Sequence, residues 1–446
     1  MLKRVSSILA LVFVCNLLLA QTKVQKTELG YTLLRNGKPY YIKGVGGQIN
    51  FDKMQEIGAN SFRTWGPENA QTILDEAQKR GLTVMLGLWL QTERQGFDYN
   101  NKEKVKAQLD YLKTVVDKYK NHPALLFWGI GNELDLFYTN PDVWYAVQDV
   151  AKYIHEVDPN HPTSTVTAGL DSLEVKYIMQ RCPDIDIYGI NTYADIADVP
   201  KYIASYGWKK PYVITEWGPT GHWESPNTAW KVAFEQTSTE KREVYAKRYQ
   251  NDIAAHSDYC IGSYAFAWGH KQEYTETWYG LFSKENLPTE TIDALEEAFT
   301  GKEINNQAIS IRKVTINQKI DRDNISVKAE EIYDAVVETY FRNELSSKSK
   351  ITYKWRVLEE STDKKAGGDV EKAAAEINTS IKHGNSNEIK FRAPRNPGQY
   401  RLFVSIYSNG KVSYANVPFL VTPRGNEEKQ ARFMQLKQTD MSSFKQ

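Results

Sequence analysis

Ala124-Leu125-Leu126-Phe127-Trp128-Gly129-Ile130-Gly131 is an apolar run that opens after Pro123 and hands directly to Asn132-Glu133. It is too short for a buried helix and is bounded by turn formers, so it predicts a strand covered on both faces. A second passage repeats the form, with Tyr212-Val213-Ile214-Thr215 handing to Glu216-Trp217-Gly218. Working outward from about residue 38 to 303, short apolar runs alternate with longer segments of helical spacing. The runs are 41–45, 61–65, 83–90, 124–130, 164–168, 185–190, 212–215 and 260–268. Val105, Leu109, Leu112, Val115, Val116 and Tyr119 form one helical stripe, and Val143, Val147, Val150, Ala151 and Ile154 form another. Strands separated by helices pair in parallel through right-handed crossovers, and eight such units predict a closed (β/α)₈ TIM barrel with its chemistry at the C-terminal strand ends. Two of the helices stop at Asn121-His122-Pro123 and Asn160-His161-Pro162, where proline ends the helix and histidine sits at the negative end of its dipole, a structural role.

Beyond Gly301 the period changes to two. Ile351, Tyr353, Trp355 and Val357 alternate with polar neighbours, as do Tyr400, Leu402, Val404 and Ile406, and Pro397-Gly398 and Asn409-Gly410 supply turns. The expected domains are a leader over 1–20, a catalytic barrel over 21–304, a small immunoglobulin-like β-sandwich over 305–423 and a polar tail over 424–446. In the leader, Lys3 and Arg4 precede an apolar run ending at Ala20, the form of a secretory signal peptide. Cys15 falls inside it, but Val14 is bulkier than a lipoprotein cleavage site prefers. Cys182 and Cys260 then remain, too few and too far apart for a zinc site or disulfide framework, and are expected as small buried hydrophobes. The sandwich is expected to brace the barrel, since its aromatics alternate with the core face.

Lys+Arg at 56 against Asp+Glu at 55 leaves a formal net charge of +1, which provides no basic patch for nucleic acid or an anionic membrane. Gly44-Val45-Gly46-Gly47 imitates a dinucleotide turn but lacks the third glycine, and Phe62-Arg63-Thr64-Trp65 stands where a ribose-binding carboxylate belongs. No phosphate loop, His-Glu-x-x-His or Gly-x-Ser-x-Gly appears. No nucleotide, metal or other cofactor is expected.

Two carboxylates at strand ends remain. Strands four and seven lie on roughly opposite sides of the ring, so Glu133 and Glu216 converge over the mouth, and a pair about 5 to 5.5 Å apart serves a retaining glycosidase. Ten of the eleven tryptophans lie in the barrel, with Trp65, Trp89, Trp217 and Trp268 at strand ends and Trp223, Trp230 and Trp278 in the loops after strands seven and eight. Aromatic faces suit the C–H faces of sugars, and Trp65, Trp217 and Trp268 are expected to bind substrate. The loop 218–229, with His222 and Trp223, is a candidate wall of the cleft, and His270 is within reach of it.

On Asn132-Glu133, Glu216 within Ile214-Thr215-Glu216-Trp217-Gly218, and Arg63, the sequence resembles the clan of retaining β-glycosidases whose catalytic glutamates follow barrel strands four and seven. The resemblance implies Glu133 as acid/base, Glu216 as nucleophile, Asn132 on the sugar 2-hydroxyl, Arg63 and Tyr193 beside the nucleophile, and Trp268 under the sugar. Phe62-Arg63-Thr64-Trp65-Gly66, Trp128-Gly129-Ile130-Gly131-Asn132-Glu133 and the trailing sandwich look most like glycoside hydrolase family 158. That likeness implies a secreted endo-β-1,3-glucanase acting on laminarin-type β-glucan, in the periplasm or at the surface of a Gram-negative bacterium. The barrels of family 2 are close relatives, disfavoured here because their sandwich domains ahead of the barrel are missing. Alternatives are another β-glycosidase of the clan, on mannan, galactoside or glucuronide linkages or exo-acting on glucan, and a non-catalytic polysaccharide-binding protein.

Overall fold

The structure is a computed structural model that describes residues 21–425 except 345 and 347–349. The expected leader, with Cys15, and residues 426–446 of the tail lie outside the described residues.

Eight parallel strands close a barrel: Ile42–Gly46, Ser61–Arg63, Thr83–Leu88, Leu125–Ile130, Thr163–Ala168, Ile187–Asn191, Tyr212–Trp217 and Cys260–Ala265. The last pairs with the first from Gly262 opposite Ile42 to Ala265 opposite Val45. Their side chains are buried almost without exception, because helices cover the outside and side chains fill the inside, which is why these strands read as continuous apolar runs. The two helical stripes face that shell. On Lys102–Tyr119 the buried residues are Leu112, Val115, Val116 and Tyr119, and on Val143–Val157 they include Val147, Val150, Ala151 and Ile154. The Asn-His-Pro histidines bond to aspartates, His161 Nδ1 to Asp158 at 2.9 Å and His122 Nε2 to Asp75 at 3.1 Å. Cys182 and Cys260 are free and buried.

A three-stranded antiparallel sheet, Thr22–Lys26, Tyr31–Arg35 and Lys38–Pro39, plugs the N-terminal end of the barrel and was not expected. Leu33 packs there with Met85, Phe127, Val166, Val213 and Ile261. Its local signal is Asn36-Gly37, both left-handed at φ 52° and 75°, the pair a tight hairpin requires.

The C-terminal domain is a sandwich of two five-stranded sheets around Trp355, Val357, Phe391, Leu402, Val404 and Phe419. Asn409-Gly410, at φ 58° and 72°, turns Gly398–Ser408 into Lys411–Thr422. Arg401 and Phe403, on the opposite face from Leu402 and Val404, are buried as well. The reason is that the second face of this sheet lies against the barrel. Arg401 binds Glu360 at 2.7 Å and the Ala233 carbonyl of the barrel at 2.5 Å, and Lys411 pairs with Asp293.

Candidate active site

Gly131 and Glu133 at the end of the fourth strand are left-handed, at φ 70° and 48°. Glycine adopts this freely and glutamate does not, so Glu133 is held there by its surroundings, an arrangement concentrated at functional sites. The Glu133 N–H donates to Val166 of the fifth strand at 3.0 Å. Glu216 is the penultimate residue of the seventh strand and needs no such twist.

Arg63, from the second strand, decides the electrostatics. It is fully buried and donates to Glu216 Oε1 at 3.4 Å, the Thr215 carbonyl at 2.9 Å and Asn132 Oδ1 at 2.9 Å. Trp65 Nε1 adds a bond to Glu216 Oε1 at 2.8 Å, and the Tyr193 hydroxyl donates to Oε2 at 3.4 Å. Glu133 has no cation of this kind. Its Oε1 accepts from Asn191 Nδ2 at 2.9 Å, and Asn191 Oδ1 in turn accepts from Arg63 at 3.2 Å and Thr215 at 2.8 Å. Burial and the neighbouring Glu216 push the Glu133 carboxyl up to about 7. Arg94 and Arg63 oppose that rise without bonding Glu133, and Arg63 sits with Glu216. The Asn132 carbonyl is taken by Arg63 and Asn191, which leaves its amide donors for the cleft that it lines.

That cleft is a cavity of about 910 Å³ at the C-terminal end of the barrel, lined among others by Trp65, Trp89, Glu133, Glu216, Trp268 and His270. Trp268 is anchored through Nε1 to the Ile49 carbonyl at 2.7 Å. The glycine-rich turn after the first strand has a packing purpose: a Cβ on Gly47, at φ 146°, would lie 2.5 Å from the Trp268 carbonyl. His222 and Trp223 from the loop 218–229 also line the cleft. Burial, then Lys364, pulls His222 down to about 4, so the ring is neutral near pH 7.

Trp217 is a correction. Its alternation along the strand turns it away from Glu216, and the ring is fully buried between barrel and helices against Tyr245 and Tyr249. Trp278 is likewise buried, with Nε1 bonded to the Thr220 carbonyl at 2.9 Å. Three contributors went unread in the sequence. Asn191, which links the two carboxylates, stood at a readable strand end two residues before Tyr193. Glu273, after the eighth strand, lines the cleft and is raised to about 7 by burial, against the opposing pull of Lys271. Residues 364–369 of the sandwich line it too, and they carry no local signal.

Residues 35–297 match the family profile of the glycosyl hydrolases family 2, TIM barrel domain. A β-glucuronidase of Paenibacillus borealis is 24% identical over 283 residues, covering 53% of this chain and 44% of the relative. The β-glucuronidase of Homo sapiens is 23% identical over 181 residues, covering 36% and 26%. The solved structure of Bacteroides uniformis β-glucuronidase 2, covalently bound to cyclophellitol-6-carboxylate aziridine, aligns with a TM-score of 0.50 at 15% identity, over 90% of this chain and 48% of that chain, a likeness of fold. The chain spans less than half the length of these relatives. The family 158 and endo-β-1,3-glucanase expectation is overturned, since the profile is that of family 2 and these relatives are β-glucuronidases. The strand-end motifs belong to the whole clan, and domains flanking the barrel are a poor guide to which family the barrel itself comes from. The chain belongs to glycosyl hydrolase family 2.

Proposed function

We propose that the chain is a retaining β-glycosidase in which Glu216 is the nucleophile and Glu133 the acid/base. The observation that carries this is the one-sided placement of Arg63, which donates to Glu216 while Glu133 is raised to about 7. A carboxylate bonded to a buried cation beside one whose proton affinity is raised suits the nucleophile and acid roles. In the first step a Glu216 oxygen bonds to the anomeric carbon as the bond to the leaving oxygen breaks, and that oxygen takes the Glu133 proton. In the second, Glu133 removes a proton from water, the water oxygen bonds to the anomeric carbon, and Glu216 leaves as carboxylate. Asn132 donates to the sugar 2-hydroxyl, a contact that strengthens as positive charge grows on the ring. Trp65 and Trp268 supply the apolar floor.

The substrate class put forward is β-D-glucuronides. The names of the relatives support it, and so do Lys271, Lys364 and Lys365, which line the cleft and offer cations to a sugar carboxylate. Neutral β-glycosides are the second reading, favoured by Glu273, whose carboxyl in the same cleft repels a uronate whenever it is charged. Turnover of p-nitrophenyl β-D-glucuronide, galactoside, glucoside and mannoside by the parent and by Glu216→Ala tests both. Hydrolysis of the glucuronide by the parent alone upholds the first, and hydrolysis of a neutral glycoside alone upholds the second. Silence on all four sinks the glycosidase reading. The leader read in residues 1–20 supports export, and N-terminal sequencing of mature protein that begins near Gln21 checks it.

A further inference from the structure

The sandwich strands Thr352–Glu359 and Glu376–Ile377 are joined by a long connection that leaves the sandwich edge and crosses the barrel mouth. Asp369 binds Arg94 at 2.6 Å and Gln95 at 2.9 Å, both in the loop after the third strand. The carbonyls of Ala366 and Gly367 accept from Arg94 at 3.2 and 3.3 Å. On the eighth-strand side, Lys271 donates to the Gly368 carbonyl at 2.5 Å, the Tyr274 N–H donates to Glu371 at 2.6 Å, and the Lys364 ammonium lies 4.3 Å from the centre of the Tyr274 ring. Gly367 and Gly368 are both left-handed, at φ 63° and 68°, and a Cβ on Gly367 would meet the Arg94 guanidinium at 2.7 Å and Leu136 at 3.0 Å. The segment is therefore tied down at both ends, over the side of the mouth formed by strands eight, one, two and three. On the side of strands six and seven the cleft is edged instead by exposed aromatics, Tyr202 at 36% and Trp223 at 59%.

We propose that the sandwich loop 361–372 is the end wall of the sugar site, closing the cleft on the side of the transferred sugar so that it takes one terminal sugar, with the leaving group on the open aromatic side. This rests on the glycosidase reading above. The sidedness follows from the two glutamates. Glu133 must reach the glycosidic oxygen, and its backbone is paired to the fifth strand, so the leaving group extends toward strands five to seven. Glu216 is bound by Arg63 and Trp65 of the second strand and its neighbour beyond, so the transferred sugar lies toward strands one, two and eight, beneath the loop.

The test compares p-nitrophenyl β-glycosides carrying one sugar and two β-1,4-linked copies of that sugar, the sugar being the one turned over in the panel above. Parent protein is set beside Gly367→Val, Asp369→Ala and a chain with residues 364–369 replaced by Gly-Ser, each checked for an intact thermal transition. The wall predicts that the parent releases nitrophenol directly from the two-sugar probe about a hundredfold more slowly than from the one-sugar probe, since the outer sugar has nowhere to go. The shortened loop brings the two rates within about tenfold, and Gly367→Val or Asp369→Ala raises KM for the one-sugar probe about tenfold with kcat within about threefold. Direct release from both probes at similar rates by the parent overturns the wall while leaving the glycosidase reading intact. So does an unchanged ratio in the shortened chain, or, if that chain does not fold, unchanged KM in both point variants. If the parent turns over no β-glycoside, the glycosidase reading falls and the wall falls with it.

Discussion

The barrel mouth and the barrel–sandwich interface both bury charge, and they treat it differently. At the interface each charge meets its complement. Lys411 pairs with Asp293 and Arg401 with Glu360, and Glu235 accepts from Lys241 at 2.6 Å, Thr275 at 2.6 Å, Thr277 at 2.8 Å and Asn416 at 2.6 Å. At the mouth, Arg63 bonds to Glu216 and not to Glu133, and Glu133 and Glu273 are both raised to about 7. A shifted proton affinity does not separate the two regions. Glu290 at the interface is also raised to about 7 by burial, yet its oxygens are bonded to Ser310 and Thr239 at 2.5 and 2.7 Å. The mouth differs in that its carboxylates face a cavity with bonding capacity left over, and this marks a reaction site where a paired charge marks a joint.

The largest expected effect breaks the comparison on the mouth side alone. Glu216→Gln should lower kcat on an aryl β-glycoside by about 10⁴-fold or more, as loss of a nucleophile does, with the fold retained by circular dichroism. On the interface side, Lys411→Met should leave Asp293 buried and unpaired at a cost of about 3–5 kcal/mol, read as a drop in the denaturant midpoint, with kcat unchanged. Restoration of most of that loss by adding Asp293→Leu would show the pair to be a joint.

Glu133 sharpens the contrast through pH. As the acid it acts protonated, so kcat/KM should fall as pH rises through about 7, and that limb should be absent in Glu133→Gln. Its folded affinity for the proton lies above the ordinary carboxyl value of 4.5, so its presence lowers stability progressively between pH 4.5 and about 7. Glu133→Gln should therefore raise the melting temperature at pH 8 relative to parent and leave it little changed at pH 4. A melting temperature that rises equally at both would remove burial as the cause. The smallest effect is at the open rim, where Trp223→Ala should raise KM for an aryl glycoside about three- to tenfold, the worth of one aromatic contact.

Much of this was legible along the chain. Each of the eight apolar runs became a barrel strand, since buried parallel strands must be apolar on both faces, and period-two alternation with Asn409-Gly410 marked a β-domain. The plug at the barrel base was missed although Asn36-Gly37 announced it, because its strands are short and half exposed. Trp217 was misplaced because an aromatic at a strand end was read by position and not by the alternation that turns it outward.

The sequence by itself determined that two glutamates close two buried strands, and with them an arginine and an asparagine at neighbouring strand ends, because strand-end placement is a local property of apolar runs and their boundaries. The tertiary structure alone decided that Asn191 links the two glutamates and that residues 364–369 of the sandwich stand at the mouth of the barrel. Those facts are contacts between residues up to 275 positions apart, formed when the barrel closes and the sandwich docks on it, and a linear pattern holds no record of such closure.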